Sequence, residues 1–349
     1  MRRLIPLLLI LLLVATCAHA EKTITLTFTG DVTLGGQDYG RGKEGTFDHY
    51  ADTKGHAYFF EHLKDFFAED DLTIVNFEGT LHDSTGGKQK GKTYCFRAPT
   101  DFVDILTLGN IEVASLANNH TYDYNKAGYT STVETLTAAN VGYFGSKDVY
   151  FFEKDGVKIA LLSVNTSAFK GLKPWYDKEI VRLKEEEGCA AVLFCVHAGQ
   201  EYDKHRHPVQ EYYGRSLINA GADLIIMHHP HVVQGMEIHK DRSILYSIGN
   251  LCFGGNQKVR EWETVIARVT LTFSDEGVYQ GQQITLYPAV ISGTDEYNDF
   301  QPRLVTGDTA HEVIRLMQID SEMTILPFSE EDGFARQAYV PAVSEAPAE

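Results

Sequence analysis

Residues 222–235 read ADLIIMHHPHVVQG. The apolar run Leu224 to Met227 stops abruptly at His228, His229, Pro230 and His231. A short apolar run bounded this way reads as a buried strand. Three imidazoles at its exit then place candidate metal ligands on a rigid element, and Pro230 stiffens the turn that spreads His229 and His231. A histidine cluster alone also fits a solvated loop, so the rest of the chain has to decide.

The arrangement recurs. Strand runs are expected at TITLTF (23–28), LTIVNF (72–77), VASLA (113–117), KIALLSV (158–164), AVLFCV (191–196), DLIIM (223–227) and ILYSI (244–248). Helical stretches are expected between several of them, at 56–70, 131–140 and 209–221, with one more at 311–318. Such alternation is an α/β pattern. Late in the chain, ETVIARVTLTF (263–273) and a run ending ITLYPAVI (284–291) flank Ser274 to Gly277, which reads as an antiparallel hairpin. The phenylalanines from Phe59 to Phe67 read as core.

Polar groups follow almost every strand. TITLTF leads to Gly30-Asp31, LTIV to Asn76-Phe77-Glu78, VASLA to Asn118-Asn119-His120, LFCV to His197, and ILYSI to Gly249-Asn250. Carboxyl ends of strands in an α/β sheet form one rim where ligands bind. A single aspartate there is an ordinary helix cap; carboxylate, amide and imidazole at successive strand ends make a metal cleft. This donor set suits Mn, Fe or Zn, and the absence of cysteine argues against a structural zinc site. Open positions on such a centre hold water whose pKa falls toward neutrality.

Composition bounds the setting. The 349 residues carry a formal charge of −17, which disfavours nucleic acid as a partner. Residues 1–20, MRRLIPLLLILLLVATCAHA, read as an export signal cleaved after Ala20; an uncleaved anchor and lipidation at Cys17 are the alternatives. Cleavage removes Arg2 and Arg3 and no acid, moving the charge from −17 to −19. An anionic substrate then needs a local positive centre, which a metal ion supplies. Four cysteines remain, Cys95, Cys189, Cys195 and Cys252; Cys195 reads as a buried thiol, and any pairing is open. One domain is expected over 21–325, followed by an acidic, frayed tail over 326–349.

Taken in order, GDV at Gly30, NFEGTL at Asn76, APTDFVDIL at Ala98, SLANNHTYDY at Ser115, VHAGQEY at Val196, GADLIIMHHPHVVQG at Gly221 and YSIGN at Tyr246 resemble the CapA family of bacterial capsule and poly-γ-glutamate synthesis proteins. That family resembles a branch of the calcineurin-like metallophosphoesterases, which implies a four-layer α/β/β/α sandwich. Residue by residue, the resemblance implies metal ligands at Asp31, Glu78, Asn119, His197, His229 and His231, with Glu78 bridging, and His120 as general acid oriented by Asp123. One or two divalent ions (Mn, Fe or Zn) are implied. Thr33 stands where the superfamily usually has histidine, so one firm ion (Glu78, Asn119, His197, His229) and one labile ion (Asp31, Glu78, His231) are expected. Ala198 and Met227 also depart from the family pattern beside the site.

The expected function is an exported metal-dependent hydrolase acting on an anionic polymer or phosphoester, in capsule, poly-γ-glutamate or cell-envelope metabolism. The rival is a non-catalytic accessory subunit that binds an anionic polymer or partner proteins in a membrane capsule-synthesis complex. A secreted nucleotidase ranks last, for want of a nucleoside pocket in the sequence. Five residues carry weaker readings: Arg97 as anion binder or ion pair, Glu201 as neighbour of the ligands or solvated acid, Asn250 as cleft lining or turn cap, and His205 with His207 on a solvated loop.

Overall fold

The computed structural model describes residues 21–338 and 340–342. The expected signal segment, Cys17 and the end of the tail lie outside the described residues. Among the described residues, no helix is long and apolar enough to cross a membrane.

Two sheets form the centre, one of eleven strands and one of six among the described residues. In the larger, Lys22–Thr33, Leu72–Phe77, Val113–Ser115 and Gly142–Phe144 run parallel. The hairpin Glu263–Phe273 and Tyr279–Val290 continues that sheet antiparallel to Lys22–Thr33, as its turn residues foretold. In the smaller sheet, Val157–Asn165, Ala191–His197, Leu224–His228 and Arg242–Leu245 run parallel, with antiparallel edges at Tyr150–Lys154 and Met236–His239.

Side-chain alternation builds the layers. Ile24, Leu26 and Phe28 of the first sheet and Ile159, Leu161, Leu193, Cys195, Leu224 and Ile226 of the second share one core between the sheets. The other faces of the same strands bury against helices. Val75, Phe77 and Leu116 pack with Phe47, Phe59 and Leu136. Leu162, Phe194 and Met227 pack with Phe169, Ile180 and Leu217. Burial on both faces explains why these strands read as continuous apolar runs. The result is the expected α/β/β/α sandwich.

Several local expectations are corrected. The stretch 56–70 is not one helix but a 3₁₀ turn, His56–Tyr58, and a single α-turn, Lys64–Phe67. Phe59 stacks on Phe47 with ring centroids 4.0 Å apart, and Phe59, Phe60, Leu63 and Phe67 are all buried, so packing rather than helical periodicity sets the path. The helix Thr166–Glu185 escaped notice because Pro174 lies inside it. The tail is not frayed from 326: Leu326–Ser329, Phe334–Arg336 and Val340–Pro341 add strands to the large sheet, anchored by buried Phe328, Ala335 and Val340. The four described cysteines are buried free thiols, Cys195 among them.

Candidate metal centre

The carboxyl ends of both parallel sets open on one cleft. Asp31 ends the regular part of the first strand, where its N–H donates to Gly249 O at 3.0 Å. Gly30 is required there: a Cβ would lie 2.4 Å from Gly249 O. Asn76 and Glu78 follow the next strand. Asn76 Nδ2 donates to Asp31 Oδ1 (2.8 Å) and lies 3.3 Å from Glu78 Oε1 and 3.2 Å from His197 Nδ1. This amide ties three expected ligands together, a role invisible in the sequence.

The turn after Val113–Ser115 carries Asn118 to Asp123. Asn118 Nδ2 donates to Phe77 O (2.7 Å) and its Oδ1 accepts from the His120 N–H (3.0 Å), so the turn is fastened to the neighbouring strand. Asn119 Oδ1 lies 2.8 Å from His197 Nε2. His120 Nδ1 lies 2.7 Å from Asp123 Oδ2, and His120 Nε2 lies 3.9 Å from Glu78 Oε2. Asp123 is fully buried; it also accepts from the Phe96 N–H (2.6 Å) and pairs with Lys92. Lys92 Nζ in turn donates to Asn119 O at 2.6 Å.

His229 and His231 leave Leu224–His228 with positive φ values of 102° and 58°, a strained turn around Pro230. The His229 N–H points at Asp31 Oδ2 (3.3 Å), and the rings of His197 and His229 lie 4.7 Å apart. His231 Nδ1 lies 3.0 Å from Asp31 Oδ2 and 2.9 Å from Asn250 Oδ1, so Asn250 holds His231 rather than merely capping its turn. His228 points away, with Nε2 3.0 Å from Thr29 O, and links the two sheets.

All eight expected site residues therefore meet at one rim. Other candidates fall away. Arg97 is buried and saturated by Asp38 Oδ1 (2.8 and 2.9 Å) and the carbonyls of His82 and Asp83. His207 caps the helix Pro208–Asn219, and His205 is exposed.

Electrostatics suits a cation. Burial drives His197 well below the usual imidazole range, helped by His229; burial also lowers His229. Both are thus held toward the neutral form, the one in which an imidazole nitrogen can donate to a cation. Burial, then the Asp31 charge, pushes Glu78 well above the carboxylate range. Burial opposes charge on Asp31 and His231, yet their contact prevails: Asp31 falls below its usual range, and His231, which also faces Glu78, rises to about 9. Without a cation, Asp31 is thus held toward its charged form against His231, and Glu78 beside it toward its neutral form. Burial also lowers His120, against the pull of Asp123.

Glu78 Oε2 and His229 Nδ1 are buried with no hydrogen-bond partner, an unfavourable state that a metal ion relieves. Oxygen and nitrogen atoms of Asp31, Glu78 and His231 come within 4.8 Å of one another, as ligands of one ion do. Thr33 Oγ1, at the departure from the superfamily pattern, is buried and unpaired. The cleft beside these groups measures about 230 Å³ and is bordered by Tyr94, Phe96, Phe253, Lys258 and Arg260.

The family profile of "Bacterial capsule synthesis protein PGA_cap" matches residues 25–255. The chain belongs to this family. The PGA_cap match spans every strand end of the cleft. "Capsule biosynthesis protein CapA" of Bacillus anthracis is 28% identical over 265 residues, covering 69% of this chain and 62% of that protein. "PGA biosynthesis protein CapA" of Bacillus subtilis (strain 168) is 26% identical over 254 residues, covering 67% and 64%. The match to this PGA_cap chain thus spans less than two thirds of either relative. A solved structure, a hypothetical protein from Thermus thermophilus, aligns over 76% of this chain and 99% of its own with a TM-score of 0.44 and 15% identity.

Proposed function

We propose that this protein is an exported, metal-dependent hydrolase of phosphoester type that acts in capsule, poly-γ-glutamate or cell-envelope metabolism. The observation that carries the proposal is the meeting of Asp31, Glu78, Asn119, His197, His229 and His231 at one rim, with Glu78 Oε2 and His229 Nδ1 buried and unpartnered. Glu78, Asn119, His197 and His229 would hold one divalent ion; Asp31, Glu78 and His231 would hold part of a second. Mn, Fe and Zn suit this donor set. When bound, such an ion supplies a Lewis acid and acidifies water.

The chain's own groups do the rest. Asp123 accepts the Nδ1–H of His120 and so turns Nε2 toward Glu78 and the cleft. When His120 takes up a second proton, stabilised by Asp123 against the cost of burial, that proton sits on Nε2 and is the one delivered to a leaving group. Lys92 pairs with Asp123 and holds the Asn119 carbonyl, which keeps the turn in register. Phe96 lies against the His120 ring with centroids 4.3 Å apart, and with Phe253 it walls the cleft from solvent. Exposed Lys258 and Arg260 at the mouth favour an anionic substrate on an otherwise acidic protein.

The test pairs elemental analysis of protein purified with its export signal and a substrate panel of phosphomonoesters, phosphodiesters and γ-glutamyl peptides. Bound transition metal with turnover of one class is expected. Protein that holds no metal, and gains no thermal stability from Mn, Fe or Zn, sinks the proposal.

A second reading, a non-catalytic subunit that binds an anionic polymer or partner proteins of a membrane capsule-synthesis complex, draws on Thr33, which leaves one ion short of a ligand. Polymer binding by metal-loaded protein, with no turnover across the panel, favours it.

A further inference from the structure

The second ion's ligand set is short by one group, and a carboxylate stands across the cleft from it. An oxygen of Glu201 and ring nitrogens of His229 and His231 lie within 4.8 Å of one another. His231 also belongs to the Asp31–Glu78–His231 group, so the two triads meet at one imidazole. We infer that Glu201 is a ligand of the second ion and makes up for the histidine that Thr33 replaces. The inference rests on the metal-dependent function proposed above.

Exposed acids commonly have no metal, so proximity alone decides little. Two further features separate Glu201 from a solvated acid. Its position is built by backbone: the Ala198 N–H donates to His228 O (3.0 Å) and the Tyr202 N–H to Pro230 O (2.8 Å), which clamps residues 198–202 onto the histidine turn. Tyr202 takes a positive φ of 63° and Gly199 one of 125° within this clamp, conformations that only a determined loop retains. Moreover, the carboxylate is unspent. Arg260 borders the same cleft but lies over the Tyr202 ring at 4.3 Å, and no salt bridge or hydrogen bond holds Glu201 among the described residues. His229, which shares the triad with Glu201, has a buried and unpartnered Nδ1.

The test is equilibrium titration of the metal-free full chain with Mn²⁺, with ion stoichiometry measured after gel filtration, for wild type, Glu201→Gln and Glu201→Asp. Wild type is expected to hold a tight and a weak ion. Glu201→Gln should keep the tight ion and weaken the other by about tenfold or more, with Glu201→Asp between. The loss should persist at high salt, which screens a mere through-space charge effect. An unchanged weak site in Glu201→Gln, a loss that salt abolishes, or a wild type that never takes a second ion overturns the inference and leaves the proposed function standing. A wild type that binds no ion at all overturns both.

Discussion

His231 Nδ1 lies 3.0 Å from Asp31 Oδ2, so the turn that leaves the smaller sheet closes a buried ion pair on the first strand of the larger. The pair makes the metal-free protein sensitive to alkali. His231 is raised from 6.5 to about 9, so its contribution to stability is complete below pH 6.5 and is lost as the pH climbs through about 9. Glu78, also raised, acts with the same sign, because its deprotonation leaves a buried charge. The thermal midpoint of metal-free protein should fall between about pH 6.5 and 9. His231→Asn should flatten that fall; an unchanged slope means that the pair does not titrate there.

Metal binding should invert this dependence. A dication at Asp31, Glu78 and His231 competes with the proton that Asp31 and Glu78 favour on His231, and with protonation of Glu78, which burial and Asp31 favour. Calorimetric titration in buffers of different ionisation enthalpy at pH 7 should therefore report net proton release as the Asp31–Glu78–His231 site fills, and affinity should rise with pH. Binding without proton release would mean that the ligands are already deprotonated.

The His120–Asp123 contact predicts a split between chemistry and metal content. His120→Ala should reduce turnover of the responsive substrate by about 10²-fold or more while ion stoichiometry stays unchanged. Asp123→Asn should do likewise and also cost about 1–3 kcal/mol, since the buried carboxylate serves Lys92, His120 and the Phe96 N–H. Equal kinetics in wild type and His120→Ala would remove the proton-delivery role.

Gly30→Ala should destabilise by about 1–3 kcal/mol and weaken metal binding, because its Cβ meets backbone at 2.4 Å beside Asp31. Gly171→Ala is the contrast: it lies in the helix Thr166–Glu185 with nothing within 4 Å of an added Cβ, and should stabilise by about 0.5–1 kcal/mol. Chemical denaturation of the two variants checks both signs.

Phe328→Ala tests whether the last strands belong to the fold. Phe328 is 6% exposed and packs in the inter-sheet core, so its truncation should cost about 3 kcal/mol or more. A cost within about 0.5 kcal/mol, normal for a surface site, would return these residues to a loose tail.

Legibility followed the range of the physics. Leu72–Phe77 and Ala191–His197 were readable because burial on both faces leaves an unbroken apolar run. The polar residues that end such runs were readable as a site because parallel strands share one carboxyl rim. Phe59 to Phe67 were readable as core yet not as their broken path, since ring packing outweighed period. Thr166–Glu185 was hidden by an internal proline, and Leu326–Ser329 by its acidic surroundings.

The sequence by itself determined the strand alternation and the polar residues that end the strands, because each depends on side-chain pattern within a few residues of the chain; the layer order and the roles of the eight site residues were implied by the resemblance to the CapA family. Only the tertiary structure decided that Asn76 ties Asp31, Glu78 and His197 together, that Asn250 holds His231, and that Glu201 faces His229 and His231. Those contacts join loops from different strands, and in some cases from both sheets. Their distances are set by how the sheets pack across the shared core and by backbone bonds such as Tyr202 N–H to Pro230 O, which no local pattern encodes.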